Sequence, residues 1–208
     1  RISSGYLLAI TPHLSTATRL QINIHEKGKT LLDIQTDFHD GDATHASLYY
    51  PVGIMGGELV DWLDSSIISG QITSGSFILK GPLEDFAYSE THNGHFEVLF
   101  NTEQTVLDYI PQWPRLEEID AEVRFHNNSL EIQVSNAKLL DTDVINAVAR
   151  IDSLDPLSPI KISGTTLGPA SDNLRILSES PLKKDFSKNA SSLSITADTN
   201  KKLDFQVQ

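Results

Sequence analysis

Alternation of apolar and polar residues, repeated along most of the chain, constrains this fold more than any other feature. In Ser129-Leu130-Glu131-Ile132-Gln133-Val134-Ser135, successive side chains of an extended strand point to opposite sides, so Leu130, Ile132 and Val134 share one face. The same reading applies to Arg19-Leu20-Gln21-Ile22-Asn23-Ile24-His25, to Ile119-Asp120-Ala121-Glu122-Val123-Arg124-Phe125 and to Leu203-Asp204-Phe205-Gln206-Val207. A large sheet with one apolar side is expected, and that side must meet something other than water.

Strand patterns are predicted over residues 6–11, 17–25, 29–38, 71–80, 94–101, 105–110, 119–126, 129–135, 144–151, 160–167, 193–197 and 203–207. Asn127-Asn128 is read as a tight turn, Glu26-Lys27-Gly28 as another, and Asp40-Gly41-Asp42 as a break in the chain. Two stretches change period. Leu59, Trp62, Leu63 and Ile67 fall at i, i+3, i+4 and i+8, the packing stripe of a short helix over residues 58–67 that Gly70 is placed to end. A second short helix is expected over 171–179, opened by Ser171 or Asp172 and closed before Pro181, with a loose connection over 183–192. No composition break divides the chain, which reads as a single unit over 1–208. At 208 residues it can bury a sizeable core unaided.

Charge and motif content narrow the function classes. Sixteen Lys and Arg against 28 Asp and Glu give a net charge of -12, which opposes simple electrostatic attraction to nucleic acid. Cysteine is absent, which removes thiolate metal sites, disulfides and cysteine nucleophiles. No GxSxG, HExxH, GxxxxGK[ST] or GxGxxG pattern occurs, and the numerous carboxylates show no spacing that selects an acid and a base. The groups His39-Asp40-Gly41-Asp42 with His45, and His92-Asn93-Gly94-His95, hold metal-ligating residue types, but at spacings better read as solvated turns. No catalytic residue, metal site or cofactor is therefore assigned.

An ordered series of short motifs runs through the middle of the chain. Tyr50-Pro51, Leu59, Trp62-Leu63, Ser69-Gly70-Gln71-Ile72 and Leu79-Lys80-Gly81-Pro82-Leu83-Glu84-Asp85-Phe86 are followed by Gly94-His95-Phe96-Glu97-Val98. Leu107-Asp108-Tyr109, Gln112-Trp113-Pro114, Leu116, Ile119-Asp120-Ala121 and Phe125 complete the series. This succession resembles the YhdP / AsmA-like family of Gram-negative envelope proteins, most closely over 50–182. It departs at Ala87, where the family commonly carries proline.

The resemblance implies a fragment of a larger periplasmic protein, held to the inner membrane by a segment outside this stretch. It implies a long, curved antiparallel sheet shaped as a groove, along which phospholipid passes between inner and outer membranes. Acyl chains would lie against Leu20, Ile22, Ile24, Leu32, Ile34, Phe77, Leu79, Phe96, Val98, Phe100, Val123, Phe125, Leu130, Ile132 and Val134. The partners implied are phospholipid acyl chains, the rest of the same chain with its inner-membrane anchor, and other envelope proteins. The competing expectation is that these faces pack on one another and under the two helices, closing a mainly β sandwich that serves as a non-catalytic scaffold or interaction module.

Overall fold

The computed structural model describes residues 1–24, 30–50, 56–86, 88, 93–154, 158–169, 172, 196–197 and 202–207. The protein is mainly β. Its strands are β1 (Ile2–Ser3), β2 (Leu7–Ile10), β3 (Ser15–Asn23), β4 (Leu31–Asp42), β5 (Ile67–Pro82), β6 (His95–Leu107), β7 (Leu116–His126), β8 (Ser129–Leu139), β9 (Thr142–Ile151), β10 (Ile160–Leu167), β11 (Thr196–Ala197) and β12 (Lys202–Val207). One helix, α1 (Gly57–Ser66), precedes β5. The expected turn at 26–28, the loose connection at 183–192 and, apart from Asp172, the expected helix at 171–179 lie outside the described residues.

The twelve strands among the described residues join one antiparallel sheet in the order β1-β3-β4-β5-β6-β7-β8-β9-β10-β12-β11, with β2 alongside β3. From β3 to β10 each strand pairs with its neighbour in sequence, as alternating strands joined by short connections should. The Asn127-Asn128 turn is tight as expected, with Asn127 at φ 48° and β7 paired to β8 directly behind it. The sheet is long and open: its two ends do not meet, and it does not fold into the sandwich held as the alternative.

Several expected breaks are not breaks. Residues 94–101 and 105–110 were expected as two strands, and Asp40-Gly41-Asp42 as a chain break; each lies largely within one continuous strand, β6 or β4. The reason is a row of β-bulges. Register shifts occur at Ile72/Ser74 in β5, Thr102/Thr105 in β6, Glu117/Asp120 in β7 and Ser163/Thr165 in β10. Asp40, Gln104, Glu118 and Asn146 stand at positive φ along the same line. Each bulge inserts an extra residue, so a polar pair can interrupt the alternation and the apolar side resumes on the same face. Thus Ile119, Ala121 and Ala147 on one side of that line and Ala137 and Val144 on the other all join one buried cluster. Aligned bulges also bend the strands they interrupt and increase their twist, creasing the sheet.

Helix α1 begins and ends one residue earlier than expected. It ends at Ser66, which is buried, and Ile67 opens β5 instead of closing the helical stripe. Gly70 does not end the helix either: it sits within β5, where a Cβ would collide with Thr105 of β6. Leu59 and Leu63 are half-buried and Trp62 is 40% exposed. Trp62 packs at the rim of the sheet, with its indole N–H donating to the Tyr109 carbonyl at 3.0 Å, rather than in a core.

Candidate functional site

Directly opposed residues of an antiparallel pair project to the same side, so the register traces each face across the whole sheet. One row reads Thr18, Thr36, Phe77, Val98, Phe125, Leu130, Ile151, Ile160 from β3 to β10. The next row reads Thr16, Phe38, Gly75, Phe100, Val123, Ile132, Ala149, Ile162. A third joins Leu20, Ile34, Leu79 and Phe96, and a fourth joins Ile22 to Leu32. The interstrand spacing of about 4.8 Å makes the first row roughly 34 Å long.

Fourteen of the fifteen residues singled out from the sequence lie on described strands in this common register, on one side of the sheet; Val134 continues it opposite Ala121 and Ala147. Ile24 lies just past the end of β3 and is 64% exposed. Leu79 and Phe96 are buried, and the remaining twelve are half-buried. Sequence reasoning passed over Phe38, Ala149, Ile151, Ile160 and Ile162. In Ala147-Val148-Ala149 apolar residues occupy both parities, so alternation alone could not say which faced in. Register supplies what pattern lacked.

The opposite face is built for water. Its row reads Asp37, Ser76, Leu99, Arg124, Glu131, Arg150, Lys161, with Arg124 paired to Glu97 at 2.6 Å and Arg150 to Glu131 at 2.7 Å. The hydrogen bond from Arg150 holds the Glu131 carboxyl below its ordinary range, helped by Gln133. These pairs are solvent-exposed and individually weak. A cleft of about 540 Å³ follows the crease, where the bulges bring residues of both parities together: Asn101, Glu122 and Gln133 line it beside Ala121, Val134 and Ala147.

What covers the apolar face differs along its length. After β5 the chain makes a short 3-10 turn at Leu83–Asp85 and lays Phe86 and Tyr88 over the sheet. Phe86 meets Phe96 edge-on at 5.1 Å, and Phe96 meets Phe77 at 5.9 Å. These aromatic contacts make a compact plug with Leu79, Tyr88 and flanking Leu32, Ile34 and Val98. Near the far ends of β7–β9, small residues close the second cluster, Ile119, Ala121, Ala137, Val144 and Ala147. Asp172 lies behind it, its carboxylate accepting from the Asp141 amide at 3.0 Å and the Thr142 hydroxyl at 3.2 Å. Between these two clusters Phe100, Val123 and Ile132 remain half-exposed. Gly75 belongs to the same row, and the ring of Phe38 closes over it beside the Cβ of Phe100, since a Cβ there would strike both.

At the rim, burial raises the Tyr109 phenol to about 12. Since the native state retains this proton more tightly than the unfolded chain, the associated stability is intact below pH 10 and is lost as pH rises toward 12. A spectroscopic titration should show one phenolate appearing near pH 12. The urea midpoint should fall less steeply above pH 10 in Tyr109→Phe than in the parent.

Strand pairing adds partners to the histidine groups noted in the sequence that local spacing does not supply. His39 bonds its neighbour Asp40 at 2.7 Å. Asp42 and His45 instead meet His13 from the β2–β3 connection, with the His13 and His45 rings stacked 3.6 Å apart. His95 meets Glu97 and His126 on the polar face, while His92 lies outside the described residues. His13 and His126 could not be found from local spacing, because strand pairing brings them in.

Together, fold and face define an open, single-layer antiparallel protein with one continuous apolar side and one charged side. The chain belongs to the YhdP family, whose model, described as YhdP protein, matches residues 1–208. It is 30% identical over 183 residues to the Intermembrane phospholipid transporter YhdP of Escherichia coli strain K12, an alignment covering 85% of this chain. The chain spans about 14% of that relative's length. No solved structure matches.

Proposed function

We propose that this chain is one stretch of a longer periplasmic groove that carries phospholipid between the inner and outer membranes, with acyl chains against the apolar rows and headgroups in water. The observation that carries this reading is the apolar register that enters through Leu20 and Ile34 on β3 and β4 and runs on from Phe77 of β5 to Ile160 of β10, with Phe100, Val123 and Ile132 half-exposed between two packed clusters. Membership of a lipid-transport family supports the same reading. The seven interstrand steps from β3 to β10 would contribute roughly 34 Å to the path.

Energetics favour a face that is apolar throughout. Each buried methylene contributes about 0.8 kcal/mol, so ten methylenes laid along the rows gain roughly 8 kcal/mol before the cost of ordering the lipid. A gap in the lining would forfeit part of that gain and create a barrier to sliding. The negative charge of the chain matters little here, since an open groove need not attract the headgroup. In this reading the chain is not an enzyme. No helix among the described residues is long and apolar enough to cross a membrane, and membrane attachment falls to segments outside this stretch.

Native mass spectrometry of the chain purified from Gram-negative membranes tests the proposal. Co-purifying phospholipid, exchangeable with added fluorescent phospholipid, is the expected result. Repeated absence of both lipid and uptake would favour the scaffold reading, in which the same face is covered by protein.

A further inference from the structure

We infer that His95, Glu97 and His126 form a zinc-binding site on the polar side of the sheet, independent of any lipid on the other side. His95 and Glu97 are two apart on β6 and therefore share a face, and His126 of β7 is registered directly against Glu97. A donor atom from each lies within 4.8 Å of the other two. All three side chains are half-buried and stand on paired strands, which hold a constellation more firmly than loops do.

The chemistry of the set selects the ion. Two imidazoles and one carboxylate suit zinc, which leaves a fourth position for water, whereas calcium and magnesium prefer oxygen ligands. Zinc–ligand bonds of about 2.0–2.1 Å place tetrahedral donors roughly 3.3 Å apart, so side-chain rotation must close the set by about 1.5 Å at most. The two rings are inclined at 63°, with centroids 5.3 Å apart, so their in-plane lone pairs can converge.

Two cations lie nearby, and both have partners. Arg124 places Nε and Nη2 on the same Glu97 oxygen, Oε2, at 3.0 and 2.6 Å, so the pair does not occupy Oε1. A carboxylate oriented in this way is a common feature of metal sites. Lys80, registered against His95, is drawn toward Asp33 at 3.9 Å. The stacked pair His13 and His45 with Asp42 has the same residue types, but its rings are within 9° of parallel, so their lone pairs run side by side. That group serves as the control. An ion at His95, Glu97 and His126 would staple β6 to β7 directly behind Phe96, Val98 and Phe125.

Titration of the chain with zinc chloride, after chelator treatment, tests the assignment. One equivalent should bind, raising Tm by roughly 5–10 °C at a hundredfold excess over Kd. His95→Ala with His126→Ala should weaken binding at least tenfold, as should Glu97→Gln, which preserves side-chain shape, while His13→Ala with His45→Ala should not. In the unaltered chain, zinc should shift the imidazole nitrogen resonances of His95 and His126, a readout that does not depend on a variant folding. Absence of binding at millimolar zinc, resonance shifts confined to other histidines, or affinity that follows His13 and His45 would overturn the assignment.

Discussion

Val123→Asp is expected to leave the chain folded and to strip it of phospholipid. Val123 lies in the open stretch between the two packed clusters, registered between Phe100 and Ile132, and is half-buried. On a face that opens to solvent, the new carboxylate can hydrate in place, and the stability loss should stay near 1–2 kcal/mol. An acyl chain crossing that position must strip water from the carboxylate, at a cost of several kcal/mol. Even 3 kcal/mol of that cost lowers lipid occupancy more than a hundredfold, since each 1.4 kcal/mol is a factor of ten. Lipid per chain by native mass spectrometry, beside a urea midpoint, checks both halves. A face packed under protein would behave differently: Val123→Asp would then bury a charge and unfold the chain.

Tyr88→Ala should act in the opposite sense, costing stability first. Tyr88 has no exposed surface and fills the space above two glycines, where a Cβ on Gly94 would strike its ring. Truncating so large a buried side chain costs about 3–4 kcal/mol through lost burial and the cavity left behind, or roughly 10 °C in Tm for a chain of this size. Its hydroxyl finds no hydrogen-bond partner among the described residues. Tyr88→Phe should therefore match or slightly exceed the parent in stability, because it removes a polar group whose burial goes uncompensated. Thermal melts of both variants separate packing from polarity. If Tyr88→Phe lost as much as Tyr88→Ala, the plug would depend on the hydroxyl and the packing account of this end of the sheet would be wrong.

Much of the fold is legible as alternation, and the reason is the register of a simple meander. Where a strand carries apolar residues on one parity, as in Leu130, Ile132 and Val134, its inward face needs no further information. Alternation misleads where a bulge intervenes. Glu103-Gln104 reads as the end of one strand and the approach to another, yet β6 runs through it; Asp40 does the same in β4. A bulge and a turn share the same residue chemistry, a polar pair that accepts positive φ, and only the partner strand tells them apart. The helical stripe failed at its last position for a related reason. Ile67 satisfies the helix spacing and also begins a strand that alternates through Ser69, and pairing to Leu107 outweighs one more turn of helix.

The candidate face was legible in its centre and incomplete toward β9 and β10. Ala147, Ala149 and Ile151 share a strand with Val148, so no parity was clearly polar. The short side chains there let the sheet close around Ile119 and Val144, whereas the phenylalanines of β5 to β7 leave a broader apolar surface. Histidine groupings were least legible, because their members come from different strands.

Photo-crosslinking by face tests the central claim most directly. A photoreactive phenylalanine analogue is placed in turn at Phe100 and Ile132, on the apolar rows, and at Leu99 and Gln133, their immediate neighbours on the charged side. With phospholipid present, crosslinks should form at Phe100 and Ile132 and be absent at Leu99 and Gln133, since one residue along a strand reverses the face. Equal crosslinking at both parities, or lipid captured only from the charged side, would contradict the account.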